Sequence, residues 1–206
     1  LEVVAGLSSD GELSDWAARR PASDLALFLR AADDLGLAGL GRAHDRFVSY
    51  GSYPCQGERL FPAGVFAGGG VSGLDPTTIT EDPASSWLAG SDGPAHPFDG
   101  ATVPDTGREG AYSWCKAPRL EGAPAEMGAL ARQVVAGHPL ARELVAAGGG
   151  NVRARVVARL LELARVVPAM EQWAAALEPG EPFHRAPDSV IEGQGAGLVE
   201  AARGGT

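Results

Sequence analysis

The longest regular pattern of apolar positions lies between residues 152 and 177. Val152, Val156, Leu160, Leu163, Val167, Met170, Ala174 and Leu177 recur in alternating steps of three and four, which predicts one long helix with these residues as a bundle seam. Asn151 follows the break Gly148-Gly149-Gly150 and is suited to cap the first turn. Pro168 is expected to kink the helix, since it has no N–H to donate and its ring crowds the preceding turn. Arg153, Arg155, Arg159 and Arg165 take the other faces and read as a solvated or interface surface. Gly180 and Pro182 close the element.

Shorter patterns precede it. Residues 1–20 are weakly helical and end at Pro21, whereas Leu25, Leu27, Phe28, Leu29, Ala32 and Leu35 form a broad apolar face that Ser23 or Asp24 can cap and Gly36 can stop. Residues 46–53 crowd β-branched and aromatic side chains and predict a strand that turns at Gly51. Short apolar runs punctuated by glycine fill residues 60–80, with a further strand expected at Thr77–Thr80 and Trp87 packed after it. Residues 90–110, rich in Gly, Pro and Asp, read as surface loop. Ala125–Ala136 has helical spacing through Met127, Leu130, Ala131 and Val134; His138-Pro139 interrupts it, and a second short helix runs to Ala147. The predicted class is α+β: a helical-bundle segment with one long kinked helix (about 151–177) and a β-containing, loop-rich peripheral part. The division falls near residue 110, with 1–110 mixed and 111–206 mainly helical.

Composition narrows the function. In 206 residues, 45% hydrophobic, a sizeable core can form. The formal charge of −9 lacks any compact basic block, which argues against nucleic acid as a partner. No apolar run reaches membrane-spanning length and no signal segment opens the chain, so no direct membrane insertion is expected. Cys55 and Cys115 are too few and too isolated for a disulfide framework or a C-x-x-C metal site; both read as unpaired thiols, and Cys115 as a buried one. The glycines do not fit a dinucleotide fingerprint. His96 could serve as a catalytic base with Asp92 or Asp99, but no nucleophile motif accompanies it, and a structural imidazole is the simpler reading.

The densest stretch of chemistry is Tyr112-Ser113-Trp114-Cys115-Lys116-Ala117-Pro118-Arg119, followed by Gly128-Ala129-Leu130-Ala131-Arg132. With Ser49-Tyr50-Gly51, residues 60–65, His96-Pro97 and Glu200-Ala201-Ala202-Arg203-Gly204, these motifs fall in one order over nearly the whole chain. Together they resemble the large, catalytic subunit of nickel-iron hydrogenases. That resemblance implies reversible oxidation of H2 to protons and electrons at a Ni-Fe centre, with an iron-sulfur small subunit as partner. It implies a catalytic role for Arg203, whose match is the arginine of a Glu-Ala-Pro-Arg-Gly motif, and supporting roles for Glu200, Ala202, Lys116 and Arg119. Ala202 departs from the proline of that motif. The family's metal ligands are cysteines of two C-x-x-C motifs, neither present here, so none is assigned to Cys55 or Cys115. The expectation is therefore an internal piece of the subunit, inactive and metal-free alone, with an exposed apolar surface on one side of the long helix. The alternative is a metal-free, hydrogenase-like structural subunit of an electron-transfer complex. Members of the family work on either side of the cytoplasmic membrane, the small subunit carrying the export information, so compartment stays open between cytoplasm and the periplasmic face.

Overall fold

Strands β1 (Arg46–Cys55) and β2 (Glu58–Ala67) pair antiparallel with Phe47 opposite Phe66 and Val48 opposite Val65. Because strand side chains alternate, the two phenylalanines share one face and the two valines the other. The phenylalanine face receives helix α4 (Ala129–Val135), every residue of which is buried. This is the computed structural model of the chain, and it describes residues 2–55, 57–184, 192–193, 195–201 and 204–205.

Helices α1 (Glu2–Ala5), α2 (Asp10–Arg19), α3 (Asp24–Asp34), α5 (Pro139–Gly148) and α6 (Val152–Ala175) close around α4. The resulting core includes Leu13, Trp16, Leu29, Phe47, Phe66, Leu130, Val134, Leu140 and Leu161. A smaller cluster of Val48, Tyr50, Val65 and Leu120 forms on the opposite face of the strands. The peripheral part holds β3 (Gly70–Ser72), which extends the first sheet, and three two-stranded ribbons. These are β4 (Ile79–Asp82) with β7 (Ala117–Leu120), β5 (Leu88–Ala89) with β6 (Val103–Pro104), and β8 (Glu200–Ala201) with β9 (Gly204–Gly205). No helix among the described residues is long and apolar enough to cross a membrane.

The α+β class is as expected, and so are most helix starts. Ser23 accepts from the Ala26 N–H at 3.3 Å, and Asn151 accepts from the Ala154 N–H at 2.9 Å. Asn151→Ala is expected to cost about 1 kcal/mol, a typical cap loss, measured by urea unfolding. Helix α2 is better formed than its sequence pattern suggests, because Ser9 caps Glu12 and the Glu12 carboxylate accepts from the Ser8 N–H at 2.8 Å.

Three expectations need correction. Gly51 does not turn the chain, since β1 runs on to Cys55. Its φ of +83° and missing Cβ instead admit Arg59, whose Nη1 lies 2.8 Å from where a Cβ would sit and donates to the Tyr50 and Gly51 carbonyls at 2.9 and 2.8 Å. The α6 stripe is not the inner seam: α6 buries Val157 and Leu161 together with Ala154, Ala158, Ala164 and Ala169, whose small side chains let α4 approach, while Leu163, Met170 and Leu177 stand 56%, 55% and 76% exposed. An exposed apolar stripe along one side of this helix is thus present, and α6 continues through Pro168 to Ala175. Finally, the α6 arginines are largely internal ties. Arg153 bonds Asp10 and Asp33 at 2.9 and 3.0 Å, and Arg155 grips Glu126 through both oxygens at 2.7 and 2.8 Å.

Candidate functional site

Helix α4 follows Gly128, whose φ of +107° is open to glycine, and carries a cation in the middle of an apolar run. Arg132 is 1% exposed. Its Nε and Nη2 donate to the two carboxylate oxygens of Glu162 at 2.8 and 2.9 Å, the parallel fork that best matches guanidinium to carboxylate. Its Nη1 donates to Glu200 Oε2 and to the Ala201 carbonyl, both at 3.2 Å. Arg132 therefore joins α4 to α6 and to β8.

Glu200 is held from a second direction. Its Oε1 accepts from the Tyr50 N–H at 3.0 Å and its Oε2 from the Ser52 hydroxyl at 3.1 Å. A carboxylate with no side-chain exposure is expensive to bury unless it is paired and hydrogen-bonded, and both conditions are met. Burial alone would pull the Arg132 pKa down, but the bonds and charges of Glu162, then those of Glu200, outweigh it and hold the pKa above its ordinary value. Arg165 lies beside this group. It donates to Gln133 Oε1 and the Leu60 carbonyl at 3.2 Å each, and its guanidinium sits 4.5 Å from the Phe61 ring centre. Burial pushes its pKa down and the Glu162 charge partly restores it. Two arginines and two glutamates thus balance in charge inside the fold. Burial, reinforced by Glu200, raises the Tyr50 hydroxyl above its usual range.

Of the residues singled out in the sequence, Glu200 belongs to this cluster, while Ala202 and Arg203 lie outside the described residues. Lys116 immediately precedes β7 and Arg119 lies on it, both at the β4–β7 ribbon. Lys116, with a side chain only 6% exposed, bonds Glu81 at 3.1 Å and the Thr102 hydroxyl at 2.7 Å. Arg119 pairs with Asp82 at 3.5 Å and shares a groove with Tyr50 and Met127. The Cys115 thiol is exposed, contrary to expectation, because the loop entering β7 turns it outward while Lys116 points inward. The side chain of Cys55 is outside the described residues. His96 accepts from the Phe98 N–H at 3.3 Å and packs on its ring, the structural role expected of it.

Sequence reasoning gave no role to Arg132, Glu162 or Ser52. A signal existed for the first two: Arg132 interrupts the apolar run Ala129–Val135, and Glu162 falls one turn after Ala158 on the small-residue face of α6. Nothing in the sequence sets Ser52 apart from other strand serines.

His138 supplies a pH test. It is 9% exposed, its Nε2 donates to the Ala5 carbonyl at 3.2 Å, and its Nδ1 has no partner among the described residues. Burial lowers its pKa below 6.5; the Ala5 bond opposes this and the Arg165 charge adds to it. The unfolded chain therefore takes up this proton more readily than the folded one. His138 should leave stability undiminished above the ordinary imidazole value and reduce it as the pH falls from there toward the lowered folded-state value. Unfolding free energies between pH 7 and 5 should show this slope in the wild type and a smaller one in His138→Gln.

A nickel-iron centre would require soft thiolate donors that converge. Among the described residues no three His, Cys, Asp or Glu side chains are grouped to hold a metal ion. Cys115 faces solvent from a loop. The donors among the described residues do not fit such a group.

Comparison with known proteins matches residues 11–205 to a family model described as nickel-dependent hydrogenase. The chain is 27% identical over 192 residues to the large subunit of the periplasmic [NiFeSe] hydrogenase of Desulfomicrobium baculatum, covering 83% of this chain and 37% of that one. Among solved structures, the reduced Ni-Fe-Se hydrogenase of D. vulgaris Hildenborough superposes with a TM-score of 0.71 at 26% identity, covering 96% of this chain and 47% of that one. The H2-activated [NiFeSe]-hydrogenase of Dm. baculatum gives 0.66 at 25% identity, with 96% and 46% covered. The chain spans less than half the length of these relatives.

Proposed function

The chain belongs to the nickel-dependent hydrogenase family, and on that premise we propose that it is the central portion of a hydrogenase catalytic subunit. In the intact heterodimer that subunit oxidises H2 reversibly to protons and electrons. The observation that carries this reading is the meeting of Arg132 with Glu200, which unites two of the ordered motifs across 68 residues of chain.

Within the reading, Arg203 is the catalytic residue. A guanidinium keeps its charge at any working pH and has a fixed donor geometry, so it suits electrostatic stabilisation better than proton exchange. Glu200 and Ala202 precede it in sequence and have supporting roles, as do Lys116 and Arg119, which pair with Glu81 and Asp82. The Ni-Fe centre takes its thiolates from outside residues 1–206, and an iron-sulfur small subunit receives the electrons. No step through the metals is derived from this chain, and the isolated piece is expected to hold no stoichiometric nickel or iron and to be inactive.

The apolar stripe of α6 fits the same reading as the face covered by the rest of the subunit. Purified residues 1–206 should self-associate, and Leu163→Glu with Met170→Glu should shift sedimentation toward monomer. A wild-type chain that stays monomeric at all concentrations would count against a covered face.

The reading is tested by the coding frame itself. A C-x-x-C pair is expected on each side of the segment encoding residues 1–206. A frame lacking both pairs overturns the catalytic assignment in favour of a metal-free structural subunit.

A further inference from the structure

Between residue 192 and Ala201 the described chain makes little apolar contact. Leu198 alone packs against the smaller cluster, and Val199 is 66% exposed. Glu200 is different: its side chain is fully buried and accepts from Arg132, Ser52 and the Tyr50 N–H. Beyond it, β8 and β9 are two residues long each, too short to set their own position. The ribbon is therefore placed by its anchor.

The anchor is rigid because its other side is fixed. Glu162 takes the Nε and Nη2 edge of Arg132 in two parallel bonds, which orients the planar guanidinium and aims Nη1 at Glu200 and the Ala201 carbonyl. Arg132 and Glu162 come from α4 and α6, and Ser52 and Tyr50 from β1, so the socket is built from core elements.

We propose that Arg132 is a positioning residue, which docks strands β8 and β9, between which Arg203 falls in sequence, on β1 through Glu200. The interest of Arg203 rests on the proposed function; the docking does not. A different role for the same arginine would be to stabilise the α4–α6 contact through Glu162 alone, with Glu200 a passenger.

Hydrogen exchange of the purified 206-residue chain separates the two. Glu200→Ala should speed exchange of the amides of 198–205 and of Tyr50 by roughly tenfold or more, the scale of a lost bond to a charged group, while α4 and α6 keep their protection. Arg132→Lys keeps the charge but lacks the fork, and should release the same amides. The double variant should show no further release, because both changes break one contact. Unchanged exchange over 198–205 in Glu200→Ala, or equal loosening of α4 and α6, would overturn the proposal. If Arg132→Lys fails to fold, Glu200→Ala still decides, since Glu200 lies on the ribbon and not on a core helix. The readout needs no metal and no H2 turnover, so an inactive parent protein would contradict the proposed function without touching this result.

Discussion

Arg132→Met should lower folding stability by about 3–5 kcal/mol, the range for breaking a buried ion pair from one side. Methionine fills a similar volume, so the loss is electrostatic rather than a cavity effect. Two carboxylates would remain inside the fold: among the described residues, Glu162 would keep the neighbouring charge of Arg165, and Glu200 the neutral donors Tyr50 and Ser52. The Glu162 side chain is 11% exposed and that of Glu200 not at all, so fuller hydration of either requires α6 or β8 to move. The compensated variant sharpens the test: Arg132→Met with Glu162→Leu and Glu200→Leu removes all three charges and should recover most of the loss. Denaturant unfolding of the set measures this. A single-variant loss below about 1 kcal/mol, the range of exposed pairs, would mean that the cluster is wetter than its geometry indicates.

Phe47→Ala carries the second large effect, again about 3–5 kcal/mol, as for other buried aromatic truncations. Phe47 has no exposure, its ring centre lies 6.2 Å from that of Phe66, and it fills the space left by Gly150, where a Cβ would stand 3.1 Å from its Cε1. The site cannot collapse readily, because one wall is the backbone of the α5–α6 connection and the other is a paired strand. Leu163→Ala, on the exposed stripe, is the control and should stay within about 0.5 kcal/mol of wild type. Equal losses at the two positions would place the core on the wrong face of α6.

The contrast between those two positions also shows what the sequence could and could not convey. Caps and breaks were legible because they act locally: Ser23, Asn151, Gly36 and Pro139 each bound a helix by their own chemistry. Faces were less so. The larger side chains of α6 form the more regular stripe, yet the neighbour that α6 meets inside this chain requires small ones, so Ala154, Ala158 and Ala164 turn inward and Leu163 and Met170 do not. Gly51 reads as a turn because its use, room for Arg59, depends on the register of another strand. At the site, the cost of burying Glu200 unpaired was clear from its type, but its partner lay 68 residues upstream and no local pattern pointed there. The ordered motifs identified the family; they did not say that two of them touch.

We propose above that this chain is part of a subunit that turns over H2 at nickel and iron. The most direct measurement takes the product of the complete coding frame, purified anaerobically with its small subunit, and determines nickel content and H2-dependent dye reduction together. The account predicts stoichiometric nickel and dye reduction that Arg203→Lys diminishes while nickel is retained. A stable complex without nickel and without H2-dependent reduction would contradict it.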